Sequence, residues 1–227
     1  MPNDTTAYKQ KVGTAAAELV ENGMVIGLGT GSTAAFLVQA LALRMKNGLV
    51  IKGAVPTSQE IGRLASSLGI PLVSLDTYAT LDLAIDGADE IDPQRNLIKG
   101  AGGALLREKI VASAARRFVV ISDASKLVPR LGIHFPLPVE VVPFALTPVR
   151  KHLEALGAVV EPRIRANQLY VTDNQNYILD CRFAEGISDP FALQAQVRAI
   201  VGVVEHGLFL DMATQVLVAG PEGFATI

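Results

Sequence analysis

The sequence predicts an α/β protein, a Rossmann-like, mostly parallel sheet carrying an inserted ferredoxin-like α+β domain, and three observations lead there. The first half alternates short apolar runs with amphipathic ones, beginning where Met24-Val-Ile-Gly-Leu28 passes through Gly29-Thr-Gly-Ser-Thr33 into a helical segment. Such alternation implies parallel strands covered on both faces. After Pro129 the order becomes strand, helix, strand, strand, helix, strand, the split βαβ pattern of compact antiparallel sheets. The closing Thr214-Gln-Val-Leu-Val-Ala-Gly220 is again a buried-type strand, expected to return to the first sheet. Residues 1–130 plus 207–227 are therefore expected to form an α/β domain, and 131–206 an inserted α+β domain.

Each element has a local reason. Tyr8, Val12, Ala15, Ala16, Leu19 and Val20 recur at helical spacing, which predicts a helix over 5–22 stopped by Asn22-Gly23. The same reasoning gives a strand at 24–28, helix 33–46, strand 50–56, helix 58–68, strands 71–75 and 81–86, helix 103–116 and strand 117–122. The second part reads as strand 138–142, helix 147–156, strand 158–164, a hairpin across Thr172-Asp-Asn-Gln-Asn176, helix 189–200 and strand 202–205.

Composition narrows the function classes. Half of the 227 residues are hydrophobic, ample for a core. A net charge of -2 with no basic run lacks the footprint of phosphate-backbone binding, so no nucleic-acid partner is expected. Charge or glycine breaks every apolar stretch short of the roughly 20 residues that span a bilayer, and Met1 to Lys11 is polar. A soluble, cytoplasmic protein without membrane association is expected. The single cysteine, Cys181, lies in the alternating Tyr177-Ile-Leu-Asp-Cys-Arg-Phe183 and is expected to be buried and structural.

Chemistry concentrates at strand ends. Gly29-Thr-Gly-Ser-Thr33 sets backbone N–H groups and hydroxyls at a helix start, a cradle for phosphate or carboxylate, or simply a tight strand-to-helix turn. It lacks the lysine of a Walker loop, and its spacing departs from the dinucleotide fingerprint. Asp86-Gly-Ala-Asp-Glu90 follows an apolar strand, where open α/β sheets build their sites, although aspartates there also form ordinary turns. Glu90 and Asp92 are expected to be solvated or capping. Lys99-Gly-Ala-Gly-Gly-Ala104 is a glycine-rich turn, and Glu108 lies in the helix beyond it. Taken singly, Lys99 and Glu108 could decorate a surface, but beside Asp86 and the cradle they form an active-site pattern. Ser122-Asp-Ala-Ser-Lys126 repeats the combination, with Asp123 as cap and Lys126 as a charge for an anion. His134, His152 and His206 lack ligand spacing, so no metal site is expected. No Gly-x-Ser-x-Gly elbow is present.

These motifs together resemble the A-type ribose-5-phosphate isomerases, and the resemblance continues through Phe135-Pro-Leu-Pro-Val-Glu140, Val171-Thr-Asp-Asn174 and Gly207-Leu-Phe209 in the family's order. It implies a metal-free and cofactor-free interconversion of D-ribose 5-phosphate and D-ribulose 5-phosphate, in the pentose phosphate pathway or the Calvin cycle, by a homodimer or homotetramer. It further implies that Glu108 is the general base and that Thr30, Gly31, Ser32, Thr33, Asp86, Gly87, Ala88, Asp89, Lys99, Gly100, Ala101, Gly102 and Lys126 line the substrate site, with Lys9 a further candidate for phosphate contact. Ala101 stands where some relatives have glycine. The unrelated B-type enzymes rely on a cysteine, and Cys181 lies outside every motif here.

The chemistry agrees. Moving a proton from C2 to C1 needs one carboxylate near both carbons, a positive charge for the enediolate oxygen and an acid for the hydroxyl protons, roles that suit Glu108, Lys99 and Asp86. Which group meets phosphate and which meets sugar stays open. Competing readings are a sugar-phosphate-sensing module, an amino-sugar-phosphate deaminase and a CoA-transferase-like enzyme. A sensing regulator should carry a DNA-reading module, and only about two dozen residues precede the first strand.

Overall fold

The computed structural model describes residues 5–227. Along them run α1 (Thr5–Ala17), β1 (Val25–Leu28), α2 (Ser32–Lys46), β2 (Gly53–Pro56), α3 (Gln59–Ser67), β3 (Leu83–Asp86), β4 (Glu90–Ile91), β5 (Leu97–Ile98), α4 (Leu105–Ala114) and β6 (Phe118–Asp123). Next come β7 (Leu137–Val141), α5 (Leu146–Ala155), β8 (Val159–Pro162), β9 (Ile164–Arg165), β10 (Gln168–Leu169) and β11 (Tyr177–Arg182). The chain ends with α6 (Pro190–Arg198), β12 (Val203–His206), β13 (Leu208–Phe209), β14 (Gln215–Gly220) and β15 (Gly223–Thr226). Of the described residues, 5–88, 107–126 and 212–227 form one compact unit, and 89–106 with 127–211 form a second. The second unit thus takes in 89–106 as well as the stretch 131–206 that sequence pattern marks as inserted.

The first unit is built on a six-stranded sheet in the order β15-β14-β6-β3-β1-β2, parallel except for the edge strand β15. Strands β1, β3 and β6 are buried throughout, as expected of a sheet covered on both faces. Ile26, Leu28, Leu37, Leu41, Leu83, Ile85 and Val119 belong to its core. The closing strand β14 returns beside β6, as its apolar pattern predicts.

The second unit holds a four-stranded antiparallel sheet in the order β12-β7-β11-β8, with α5 and α6 following β7 and β11. That order is the ferredoxin-like one. Val139, Val141, Val149, Leu153, Leu179 and Val197 belong to its core, as do Ile98 and Leu208 from a small β13-β5-β4 sheet.

Several boundaries differ from the sequence reading for local reasons. The predicted helix to residue 22 ends at Ala17, and Glu18, Leu19 and Val20 close it with tighter bonds to Ala15, Ala16 and Ala17. The expected strand 71–75 is only an isolated bridge, in which Ala54 N donates to Pro71 O and Val73 N to Ala54 O; the next bond of a parallel ladder would need an N–H that Pro56 lacks. The hairpin turn falls at Ala166-Asn167, both at positive φ, while Thr172–Asn176 is a separate turn leading into β11. Strand β15 went unpredicted: all four of its residues are exposed, so it carries no periodic apolar signal.

Cys181 is buried on β11, as expected, and burial pushes its thiol up to about 12. The native protein should therefore leave the thiol unreacted with a disulfide-exchange reagent at pH 8, while the denatured chain gives one equivalent. Rapid labelling of the native state would contradict this burial.

Candidate active site

In the first unit the strand order reverses between β1 and β3: the chain goes from β1 outward to β2, then returns to the other side of β1. Open sheets offer a crevice at the carboxyl ends of such strands. The glycine cradle leaves β1 there, and Asp86 ends β3 beside it. Asp86 is buried, and its Oδ1 accepts hydrogen bonds from Thr30 N at 3.0 Å and Gly87 N at 2.7 Å. A Cβ on Gly29 would meet the Asp86 carboxylate and lie 2.5 Å from its Cα. Gly31, with φ 99, is the N-cap of α2 and supplies no capping side chain, so the first amides of α2 begin at an open turn. Ser32 is exposed, and Lys9 Nζ donates to its hydroxyl at 3.1 Å. Thr30 shares a 2.6 Å hydroxyl contact with the buried Thr57 at the end of β2.

Asp123 ends β6, the strand next to β3, and accepts from Ser125 N at 3.0 Å, capping the short turn that carries Lys126. Glu108 lies in the first turn of α4 and is only 5% exposed, so it does not decorate a surface. Val111, one turn further on, packs where a Cβ of Gly27 would stand, so Gly27 lets α4 approach β1 closely. Glu108 shares that face by helical spacing. The end of α4 meets the start of β3 through Leu81 N to Ala114 O, 2.9 Å, which leaves the helix start, with Glu108, toward the carboxyl edge.

In the second unit Asp89 N bonds to Ile98 O at 2.9 Å and its Oδ2 accepts from Ala101 N at 2.8 Å. The acidic turn thus holds the glycine loop directly. Lys99 is 2% exposed; its N donates to Gly207 O at 2.9 Å and its Nζ lies 5.4 Å from the Phe209 ring centroid, a cation–π distance. Gly100 and Gly103 have φ 105 and 85, and the loop closes through Gly103 N to Gly100 O.

Of the predicted site residues, Thr30, Gly31, Ser32, Thr33, Asp86, Gly87, Ala88, Glu108 and Lys126 lie in the first unit, and Asp89, Lys99, Gly100, Ala101 and Gly102 in the second. Of the two alternatives for Glu90, solvated or capping, the first is wrong: it is fully buried, and its carboxylate gathers the N–H groups of Gly132, His134 and Phe135 at 2.5–2.8 Å. Asp92 does cap, accepting from Gln94 N, Asn96 N and Asn96 Nδ2. Sequence reasoning did not single out Thr57, the buried Lys109, or Arg163 and Tyr170, whose side chains reach carbonyls of the glycine loop. Thr57, Arg163 and Tyr170 sit in no recognisable local pattern, whereas Lys109 directly follows Glu108 in the helix beyond the glycine turn. Among the described residues, no group of three or more His, Cys, Asp or Glu side chains is placed to hold a metal ion.

A family model described as Ribose 5-phosphate isomerase A (phosphoriboisomerase A) matches residues 53–223. The ribose-5-phosphate isomerase A of Synechococcus sp. (strain JA-3-3Ab) is 55% identical over 222 residues, covering 96% of each chain. That of Roseiflexus sp. (strain RS-1) is 53% identical, covering 99% of this chain and 97% of its own. Among solved structures, a D-ribose-5-phosphate isomerase in complex with phospho-erythronic acid superposes with TM-score 0.94 at 39% identity, covering 100% of this chain and 99% of its own. The ribose 5-phosphate isomerase of Plasmodium falciparum gives 0.95 at 36% identity, with 98% of both chains covered.

The Asp86 contact makes Gly29 a sharp test of the cradle. Gly29→Ala must displace the carboxylate or the loop, at a cost of about 1–3 kcal/mol for overpacking. Its melting temperature should fall, and the stabilisation that a phosphorylated sugar gives the wild type should largely vanish. A Gly29→Ala variant that melts normally and is still stabilised would show that the loop does not depend on this contact.

Proposed function

The chain belongs to the ribose 5-phosphate isomerase A family, and we infer that it interconverts D-ribose 5-phosphate and D-ribulose 5-phosphate with Glu108 as the proton carrier. The observation that carries this role is the buried carboxylate of Glu108, on the face of α4 that packs on β1 and toward the carboxyl edge of the sheet. Once the sugar ring is open, the carboxylate takes the proton from C2 of the aldose, leaving an enediolate, and returns it to C1 to give the ketose. Hydroxyl protons must change places between O1 and O2 in the same turnover, and Asp86 is assigned that exchange. Lys99 is assigned to the oxygen on which negative charge develops: a largely desolvated ammonium group interacts with such charge far more strongly than a hydrated one.

The phosphate is assigned to the cradle Thr30–Thr33, aided by Lys9 and Lys126. The open helix start, the exposed Ser32 hydroxyl and the Lys9 to Ser32 contact support that choice. Anchoring the remote phosphate turns its binding energy into orientation of C1 and C2. The deaminase, CoA-transferase and sensing readings gain no support from relatives matched along nearly their whole length. Among the described residues no helix is long and apolar enough to cross a membrane. We further propose a cytoplasmic homodimer or homotetramer. Phe144, 98% exposed, and Val201, 94% exposed, leave apolar surface that assembly would cover.

Incubation with ribose 5-phosphate should yield ribulose 5-phosphate; a folded protein that forms no ketose would overturn the assignment. Glu108→Gln keeps size but removes the proton acceptor, and turnover should drop by about 100- to 10,000-fold. Substrate should still raise the melting temperature of this variant. In D2O the wild type should incorporate deuterium at the reacting carbons and the variant almost none. Exchange near the wild-type rate would move the base elsewhere, with Asp86 and Asp89 next in line.

Lys99→Ala should lower kcat by about 100-fold, the scale of removing one oxyanion donor. Phospho-erythronic acid, which one solved relative holds, offers a permanent anion near the reacting end. Wild type should prefer it to ribose 5-phosphate, and the preference should shrink in the Lys99 variant. An unchanged preference would remove Lys99 from this role.

A further inference from the structure

The glycine loop after Lys99 is held from outside by two side chains of the same unit. Arg163, the first residue after β8, donates from one guanidinium nitrogen to Gly100 O at 2.7 Å and to Ala101 O at 3.1 Å. Its other nitrogens meet the Asp180 carboxylate in a two-pronged pair, Nε to Oδ2 at 2.9 Å and Nη2 to Oδ1 at 2.5 Å. That fork fixes the guanidinium plane, and both partners are well shielded, 14% and 22% exposed. Tyr170 donates from its hydroxyl to Gly102 O at 3.2 Å, and its ring occupies the space that a Cβ on Gly103 would fill. Burial and then the Asp173 carboxylate raise the phenol above its usual value, so the hydroxyl keeps its proton and remains a donor. The two residues are linked as well, since Tyr170 N donates to Arg163 O at 2.8 Å.

Three successive carbonyls of a loop rich in glycine are therefore anchored, at Gly100, Ala101 and Gly102. Glycine gives a chain the freedom to wander, and the loop has no helix or strand ladder to hold it. Because each peptide unit is planar, fixing the Ala101 carbonyl also fixes the direction of the Gly102 N–H, just as Asp89 fixes that of Ala101. The ammonium of Lys99 hangs from the first residue of this same loop.

We propose that Arg163, clamped by Asp180, and Tyr170 are positioning residues for the isomerase reaction, holding the Lys99–Gly103 backbone in the conformation that presents Lys99 and the loop amides to substrate. This rests on the functional reading above. Neither residue touches the reacting atoms; both act through the loop. A wandering loop leaves ground-state capture by the phosphate cradle intact but loses alignment at the reacting end, so kcat falls more than KM rises.

The test uses the full chain with Tyr170→Phe, Arg163→Lys, the double variant and Arg163→Ala, assayed with ribose 5-phosphate well below each melting temperature. Tyr170→Phe keeps the packing on Gly103 and deletes only the hydroxyl. Arg163→Lys keeps a charge for Asp180 but cannot span both carbonyls and the carboxylate. Each should lose between about 5- and 100-fold in kcat with little change in KM. The double variant should lose less than the product of the two, because both act on one loop. Added guanidinium ion at millimolar concentration should partly restore Arg163→Ala, and Lys should outperform Ala at position 163. Hydrogen exchange should quicken in residues 99–106 and stay unchanged in α5 and α6. Folded single variants with wild-type kcat, or losses that follow thermal stability while loop exchange stays the same, would overturn the proposal. If wild type fails to convert ribose 5-phosphate, the functional reading falls, and loop exchange alone then decides whether these residues hold the loop.

Discussion

The first unit depends on one buried carboxylate standing where a side chain is missing. Asp86 ends β3 and fills the space that Gly29 leaves at the end of β1, and its Oδ1 gathers the N–H groups of Thr30 and Gly87. Sheet hydrogen bonds stop at the strand ends, so nothing in the ladder dictates how the two loops leave it. A charge-assisted contact to both loops does so instead, and charged acceptors make stronger bonds than neutral ones. The Thr30 to Thr57 contact extends the same tie to the end of β2. The cradle therefore takes its shape from the carboxyl edge as a whole.

The second unit uses buried charge in the same way but against longer loops. Glu90 accepts from three amides between Gly132 and Phe135, and Glu140 Oε1 accepts from Thr172, Asn174 and Asn176. Arg163 completes the pattern with opposite sign, collecting carbonyls where the carboxylates collect donors. Burying an ionised group is costly unless hydrogen bonds replace its water. Each of these groups has several partners from a segment that is neither helix nor strand, although in Glu140 they all fall on Oε1 and the buried Oε2 has none among the described residues. Loops that secondary structure cannot hold are thereby given a definite path.

What the sequence reveals follows from this division. Strands β1, β3, β6 and β14 are apolar runs between glycines and charges, and the cradle and the two acidic motifs sit at their ends, so the parallel sheet, its closing strand and the first-unit candidates were legible from local pattern. Lys99 and Glu108 were legible only in combination, because a lysine before a glycine turn and a glutamate in a helix are ordinarily exposed, and their burial depends on packing that no local pattern records. The burial of Glu90 was hidden for the same reason: the N–H groups it gathers lie more than forty positions away. Arg163 and Tyr170 stand more than sixty positions from the carbonyls they hold and carry no spacing signal at all. The 71–75 strand failed differently, since its apolar residues suggested a ladder that Pro56, opposite it on β2, has no N–H to continue.

The closeness of the two acidic and glycine motifs in sequence has a structural reason. Between them the chain makes a small excursion, β4 out and β5 back, paired as Glu90 with Ile98 and Ile91 with Leu97. The bond from Asp89 N to Ile98 O closes that hairpin at its base, and Ala101 N to Asp89 Oδ2 closes it once more just beyond. The chain that leaves β3 at Asp86 thus returns within a few residues to where it left the acidic turn. Lys99 emerges next to Asp89 because of the hairpin register, not because of any choice in the loop itself. A slip of one residue between β4 and β5 would turn every side chain on the strand to the opposite face. Lys99 would then leave Phe209, and the amide that Asp89 holds would no longer be that of Ala101. Ile91 and Leu97, fully buried and directly opposed, resist such a slip, so two apolar residues that touch no substrate set the register on which the acidic turn and the glycine loop meet.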